Sequence, residues 1–117
     1  MTQDDITQAL HRQFKIAVLK HGRRLCDGGR AFNRENLWYD VIAKDLGINH
    51  NVVSYLLEED LQTTIGGYFG IKKARTVFEV VDNLADTAAE RAAAWRKIFN
   101  DTIARLETSP DAMKAAA

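Results

Sequence analysis

The side chains best suited to recognition chemistry crowd into one stretch, Asn49-His50-Asn51-Val52-Val53-Ser54-Tyr55. A carboxamide such as Asn51 presents a donor and an acceptor side by side, so it can hold a partner of matching pattern by two bonds. His50 carries two ring nitrogens that donate or accept, and Tyr55 a hydroxyl at the tip of an apolar ring. Asn49 and Ser54 have the short polar side chains that bond backbone amides at a helix start. Arg30, Arg34 and Lys44 are the nearest cations. Each of these residues also has a plainer reading, a solvated polar group on an exposed helix, and for Asn49 a helix cap alone.

No other constellation carries reaction chemistry. His11, His21 and His50 show no metal-ligand spacing, and Cys26 is the only cysteine, so no internal disulfide forms. A nucleophile elbow and a phosphate loop are both missing. Gly28-Gly29 could cradle an anion, but reads better as a flexible loop. Asp4-Asp5 and Glu58-Glu59 are sequence neighbours, so in helices their carboxylates diverge. The expectation is a binding protein, not an enzyme, with no cofactor and no metal.

The elements that must position the recognition residues read as helices. The chain has 117 residues with a single proline, 46% hydrophobic and 27% charged residues, a composition that suits a helical globular domain. Ile6, Leu10, Phe14, Ala17, Val18 and His21 recur at helical spacing over 3–21, with Thr2 as a cap and Gly22 as a stop. Arg23 to Arg30 then reads as a loop. Asn33 can cap a second helix, with Phe32 and Leu37 spaced as a hydrophobic staple. That helix runs through Trp38, Val41, Ile42 and Leu46 to Gly47, and a short helix follows from about His50 to Glu59. Residues 62–71 hold β-favouring side chains around Gly66-Gly67, which fits a short β-hairpin wing or an irregular glycine loop. Helical pattern resumes at 72–85, and Thr87-Ala88-Ala89-Glu90 is a capping box opening a last helix. Its stripe of Ala92, Trp95, Ile98, Phe99, Thr102, Ile103 and Leu106 must bury against the chain's own core or against a second copy.

The segment Tyr39 to Leu57 meets the demands of two helices crossing steeply over a short turn. Ala43 is small where the second helix crosses. Gly47 tolerates positive φ, and Ile48 plugs the corner. Ile42 and Leu46 on one helix, and Val53 and Leu56 on the other, supply the inner faces. This stretch resembles the helix-turn-helix superfamily of bacterial and phage transcriptional regulators. Gly47 to Leu57 is similar to the turn and recognition helix of the Lac repressor family, with Asn49 in place of the usual capping serine and Val52 in place of a threonine. The resemblance covers residues 39–58; the hinge helix and sugar-binding domain of that family have no counterpart. It implies a second helix in the major groove, read through Asn49, His50, Asn51, Ser54 and Tyr55, with Lys44, Arg34 and Arg30 on phosphates.

Charge tempers that expectation. Lys and Arg number 16, as do Asp and Glu, so the formal net charge is zero. Seven basic residues lie between Arg12 and Arg34, opposed there only by Asp27, and form a candidate positive face. The proposed recognition helix itself has no Lys or Arg, and Glu58-Glu59-Asp60 follows it. The reading is therefore an all-α protein with a helix-turn-helix domain at 1–70, C-terminal helices at 71–107 forming a hairpin, and a disordered tail at 108–117. Its expected role is a dimeric, sequence-specific regulator on double-stranded DNA, paired through the Trp95, Phe99 and Leu106 face. The alternative is a small protein-binding inhibitor or adaptor that reuses the fold. No long apolar run is present and the first residues are acidic where a secretion signal is basic, so the expected location is the cytoplasm, away from membranes.

Overall fold

A computed structural model describes residues 3–30, 32, 36–69, 80–81 and 85–108. Among them run four long helices and no strand: α1 (Gln3–Asp27), α2 (Trp38–Leu46), α3 (His50–Phe69) and α4 (Ala88–Glu107). No helix among the described residues is long and apolar enough to cross a membrane. Thr2, Asn33, Arg34, most of the helix expected at 72–85 and the tail beyond Thr108 lie outside the described residues.

The expected stop of α1 at Gly22 is corrected: the helix continues to Asp27. Gly22 lies where α1 meets both α2 and α4. A Cβ there would sit 2.9 Å from Ile42 Cδ1 and 3.0 Å from Phe99 Cε2, so glycine is required by close approach, not by chain reversal. The true stop is Gly29, with φ +90°: its N–H bonds the Cys26 carbonyl and the Arg30 N–H bonds the Leu25 carbonyl, the paired closure of a Schellman motif. The expected loop at 23–30 is thus a helical turn followed by this cap.

The wing is corrected too. Residues 62–69 belong to α3, which extends well past Glu59; residues 70 and 71 are not described. Val53, Leu57, Leu61 and Ile65 recur every fourth residue and are all buried, so a single apolar ridge runs along the helix. Burial of that ridge outweighs the weak helix propensity of Thr63, Thr64, Ile65 and the two glycines.

α4 is the central helix, packed against α1 on one side and α3 on another, while α2 packs mainly on α3. The side-chain cap of the expected box forms: Thr87 Oγ1 accepts the Glu90 N–H at 3.1 Å, and its hydroxyl donates to Glu90 Oε1 at 3.0 Å. Trp95 and Phe99 are fully buried within the chain. Phe32 meets both rings edge-on, with centroids 5.5 Å from Trp95 and 6.1 Å from Phe99, and Trp38 packs 6.3 Å from each. This aromatic cluster uses the Trp95–Phe99 stripe internally, and Leu106 is itself half-buried against the core. Of the two partners that the sequence allowed for this stripe, the chain's own core is the one that covers Trp95 and Phe99.

One buried polar chain ties α3 to α4. Arg105 donates to Thr64 Oγ1 at 3.0 Å, the Thr64 and Thr102 hydroxyls are 2.7 Å apart, and Thr102 donates to the Ile98 carbonyl at 2.7 Å. Thr64 Oγ1 also lies 3.1 Å from the Asp60 carbonyl, so its single proton goes either to that carbonyl or to Thr102, and both buried hydroxyls have partners.

Candidate nucleic-acid interface

The α2–α3 corner is built by its turn. Gly47 adopts φ 69°, its N–H bonds the Lys44 carbonyl, and the Ile48 N–H reaches back to the Ala43 carbonyl at 3.0 Å. These two bonds close the C-terminus of α2 and turn the chain sharply. Asn49 then caps α3: its Oδ1 accepts the Asn51 N–H at 2.8 Å. A short side-chain oxygen at this position satisfies an amide that has no intrahelical partner. Behind the corner, Ile42, Ala43, Val53 and Leu57 are buried, and Ile48 packs against them.

Two inward positions differ from expectation. Leu46 is exposed, and Leu57 occupies the fully buried position on α3 while Leu56 is half-buried. The α2 start differs as well. Leu37 holds the N-cap position without any side-chain cap, and α2 begins at Trp38, because Phe32 is drawn into the aromatic cluster and leaves Asn36 and Leu37 as connection.

On the outer side, His50, Asn51 and Tyr55 are exposed and Ser54 is half-buried. Tyr55 is 86% exposed, and Asn51 and Tyr55 lie one helical turn apart on a common face. The carboxamide of Asn51 and the hydroxyl of Tyr55 make no hydrogen bond among the described residues, so their bonding capacity faces outward. The Oδ1 of Asn49 is engaged in its cap. His50 Nδ1 lies 3.8 Å from Asp40 Oδ1, and its ring centroid is 6.3 Å from that of Tyr39. Lys44 is exposed at the end of α2, and Arg30 is exposed just past α1. Arg34 is not described.

The basic segment from Arg12 onward does not gather into one positive face. Lys15 pairs with Asp60 at 2.9 Å, Lys20 approaches Glu107 at 3.8 Å, and Arg23 donates to Asn100 Oδ1 at 2.9 Å. Asp27 is matched by Arg96 of α4. Helical geometry spreads these cations around α1, toward α3 and α4 as much as toward solvent. Around the α2–α3 corner the charges are mixed, with Asp40 and Asp45 on α2 and His21 Nε2 of α1 3.2 Å from Asp45 Oδ2.

The strongly perturbed titrating groups stand away from this corner. Burial raises the Cys26 thiol to about 12, with Asp27 adding to the rise. Burial, and then the hydrogen bond to Asp101, push the Tyr68 phenol up, and the same bond, with Lys97, holds the Asp101 carboxyl below its ordinary value. These are structural contacts between helices, with Lys97 also 5.2 Å from the Tyr68 ring centroid. Compared with models of known families, with curated proteins and with solved structures, the chain has no match.

Proposed function

We propose that the chain is a cytoplasmic DNA-binding regulator that places the first two turns of α3 in the major groove. The observation that supports this reading is the capped corner at Gly47-Ile48-Asn49, which presents Asn51 and Tyr55 on one outward face with their side-chain polar groups unengaged among the described residues. Asn51 reads an adenine edge, His50 and Tyr55 contact an adjoining base or phosphate, and Ser54 and Asn49 hold the backbone. Lys44, Arg30 and Arg34 supply the phosphate-neutralising charge. Binding as a dimer, on a face other than that of Trp95, would read two half-sites about one helical turn apart.

A second reading draws on the same corner. Leu46, Val52 and Tyr55 are exposed large side chains, and Asp40 and Asp45 stand beside them. An apolar patch with acidic neighbours suits a protein partner, in the manner of an inhibitor or adaptor.

Salt response separates the two. If Lys44, Arg30 and Arg34 each neutralise one phosphate, the affinity for a labelled duplex falls about 40-fold over a fourfold rise in salt, from a slope near −0.9 per contact. Fluorescence anisotropy at a series of salt concentrations reads this directly. A slope near zero, or no binding at low salt by folded protein, rejects the DNA reading and favours the protein-binding module.

A further inference from the structure

We propose that the cleft where α1, α3 and α4 meet is a binding site for a small phosphate-type anion, inorganic phosphate or a compact phosphate monoester. The cleft has a volume of about 320 Å³ and is walled by His11, Arg12 and Lys15 of α1, Asp60 of α3, and Arg105 and Leu106 of α4. That volume lies at the small end of the range for ligand sites and holds a phosphate with a modest organic group.

The charge in the cleft is lopsided in a chain whose total charge is zero. Three cationic side chains, Arg12, Lys15 and Arg105, face one carboxylate, Asp60. Lys15 and Asp60 neutralise each other at 2.9 Å, with both side chains largely buried. Arg12 and Arg105 have no carboxylate partner among the described residues, so the unmatched charge is that of two guanidiniums, the group best shaped to fork a phosphate or carboxylate.

Arg105 is also held in place. The same guanidinium nitrogen donates to the Asp60 carbonyl at 3.2 Å and to Thr64 Oγ1 at 3.0 Å, at the head of the chain through Thr102. Its remaining N–H groups are free to point into the cleft. A pre-positioned cation loses little side-chain freedom on capturing an anion, which distinguishes this cluster from cations scattered on a helix surface. His11 adds a ring nitrogen at the wall, and Leu106 supplies an apolar surface for the organic part of a monoester. Arg12 and Arg105 are far apart in sequence and meet only through the packing of α1 on α4. The site does not depend on the DNA reading of the α2–α3 corner.

The test is a titration of the full chain with inorganic phosphate, and separately with phenyl phosphate, at ionic strength held constant with chloride. Amide and arginine Nε resonances are followed by NMR. Saturable shifts centred on residues 11–15, 60 and 105 are expected, with phenyl phosphate the tighter ligand if Leu106 contributes. Arg12→Gln, which removes no hydrogen bond or ion pair among the described residues, weakens binding by about ten- to a hundredfold, the loss typical of a charge-assisted hydrogen bond. Thr64→Val removes one of the two bonds that hold Arg105, leaving that to the Asp60 carbonyl, and weakens binding while Arg12 stays intact. Asp60→Asn removes the only carboxylate among the described residues of the cleft and strengthens binding, a gain that impaired folding cannot imitate. Phosphate shifts no larger than those from chloride, or an Arg12→Gln variant that binds as the unaltered chain does, overturn the proposal.

Discussion

Replacing two helical glycines by alanine is expected to change stability in opposite directions. At Gly67, near the end of α3, a Cβ would meet nothing within 4 Å. Alanine there gains only the difference in helix propensity, about 0.5 kcal/mol for a position in the last turn. At Gly22 the same gain of about 1 kcal/mol applies in mid-helix. Against it stands a methyl 2.9 Å from Ile42 Cδ1, and 3.0 and 3.3 Å from two atoms of the Phe99 ring. Ile42 and Phe99 are both fully buried, so neither has space to retreat into. Overpacking of this kind costs about 1–3 kcal/mol, which leaves Gly22→Ala less stable by about 1 kcal/mol. The two variants should therefore differ by about 1.5 kcal/mol, roughly 6 °C or more in Tm for a domain of this size. Urea and thermal unfolding followed by circular dichroism measure both. A Gly22→Ala variant as stable as Gly67→Ala would mean that α1 does not press on α2 and α4 at this point. A destabilised Gly67→Ala would mean that residues 62–69 are not helical.

Three further outcomes follow from particular contacts. Thr87→Ala removes the N-cap of α4 and should cost about 1 kcal/mol in urea unfolding, with Thr87→Ser restoring most of it. Cys26 is buried as the neutral thiol, raised from 9.0 to about 12, so the unfolded chain ionises first as pH rises. The contribution of Cys26 is then fully present below pH 9 and declines as pH climbs from about 9 toward about 12. Cys26→Ala should lose less stability than the unaltered chain between those limits, and a thiol reagent should label Cys26 only on unfolding. The depressed carboxyl of Asp101 works in the other direction: its contribution is present above the ordinary value of 3.8 and is lost as pH falls through its lower folded value. Tyr68→Phe removes the main cause of that depression and should flatten the acid limb of the stability profile.

Features set by near neighbours were legible in the sequence. The Thr87 cap and the Asn49 cap each depend on residues at most three apart, and both form. The positive φ of Gly47 likewise follows from its local role. Features decided by distant packing were not legible. Gly22 has the composition of a helix stop, and only Ile42 and Phe99, remote in sequence, reveal it as a crossing point. The β-favouring run at 62–69 is helical because Leu61 and Ile65 continue the ridge begun at Val53, a continuation obscured by the intervening Thr and Gly residues. The Trp95 stripe announced that it would be buried but not by what; the answer is Phe32 and Trp38 of the same chain. The outward residues of the α2–α3 corner were readable from helical phase, whereas the cleft joining Arg12 to Arg105 required the packing of three helices.

The most direct test of the DNA-binding account is selection from a pool of random duplexes at low salt, followed by sequencing, with Asn51→Ala and Tyr55→Ala carried in parallel. The account predicts an enriched site, with two related half-sites if the chain binds as a dimer, that is weakened or altered at defined bases by either substitution. Each lost base contact should cost about 1–3 kcal/mol of discrimination. No enrichment by folded protein, or an enriched site indifferent to both substitutions, would contradict recognition through α3.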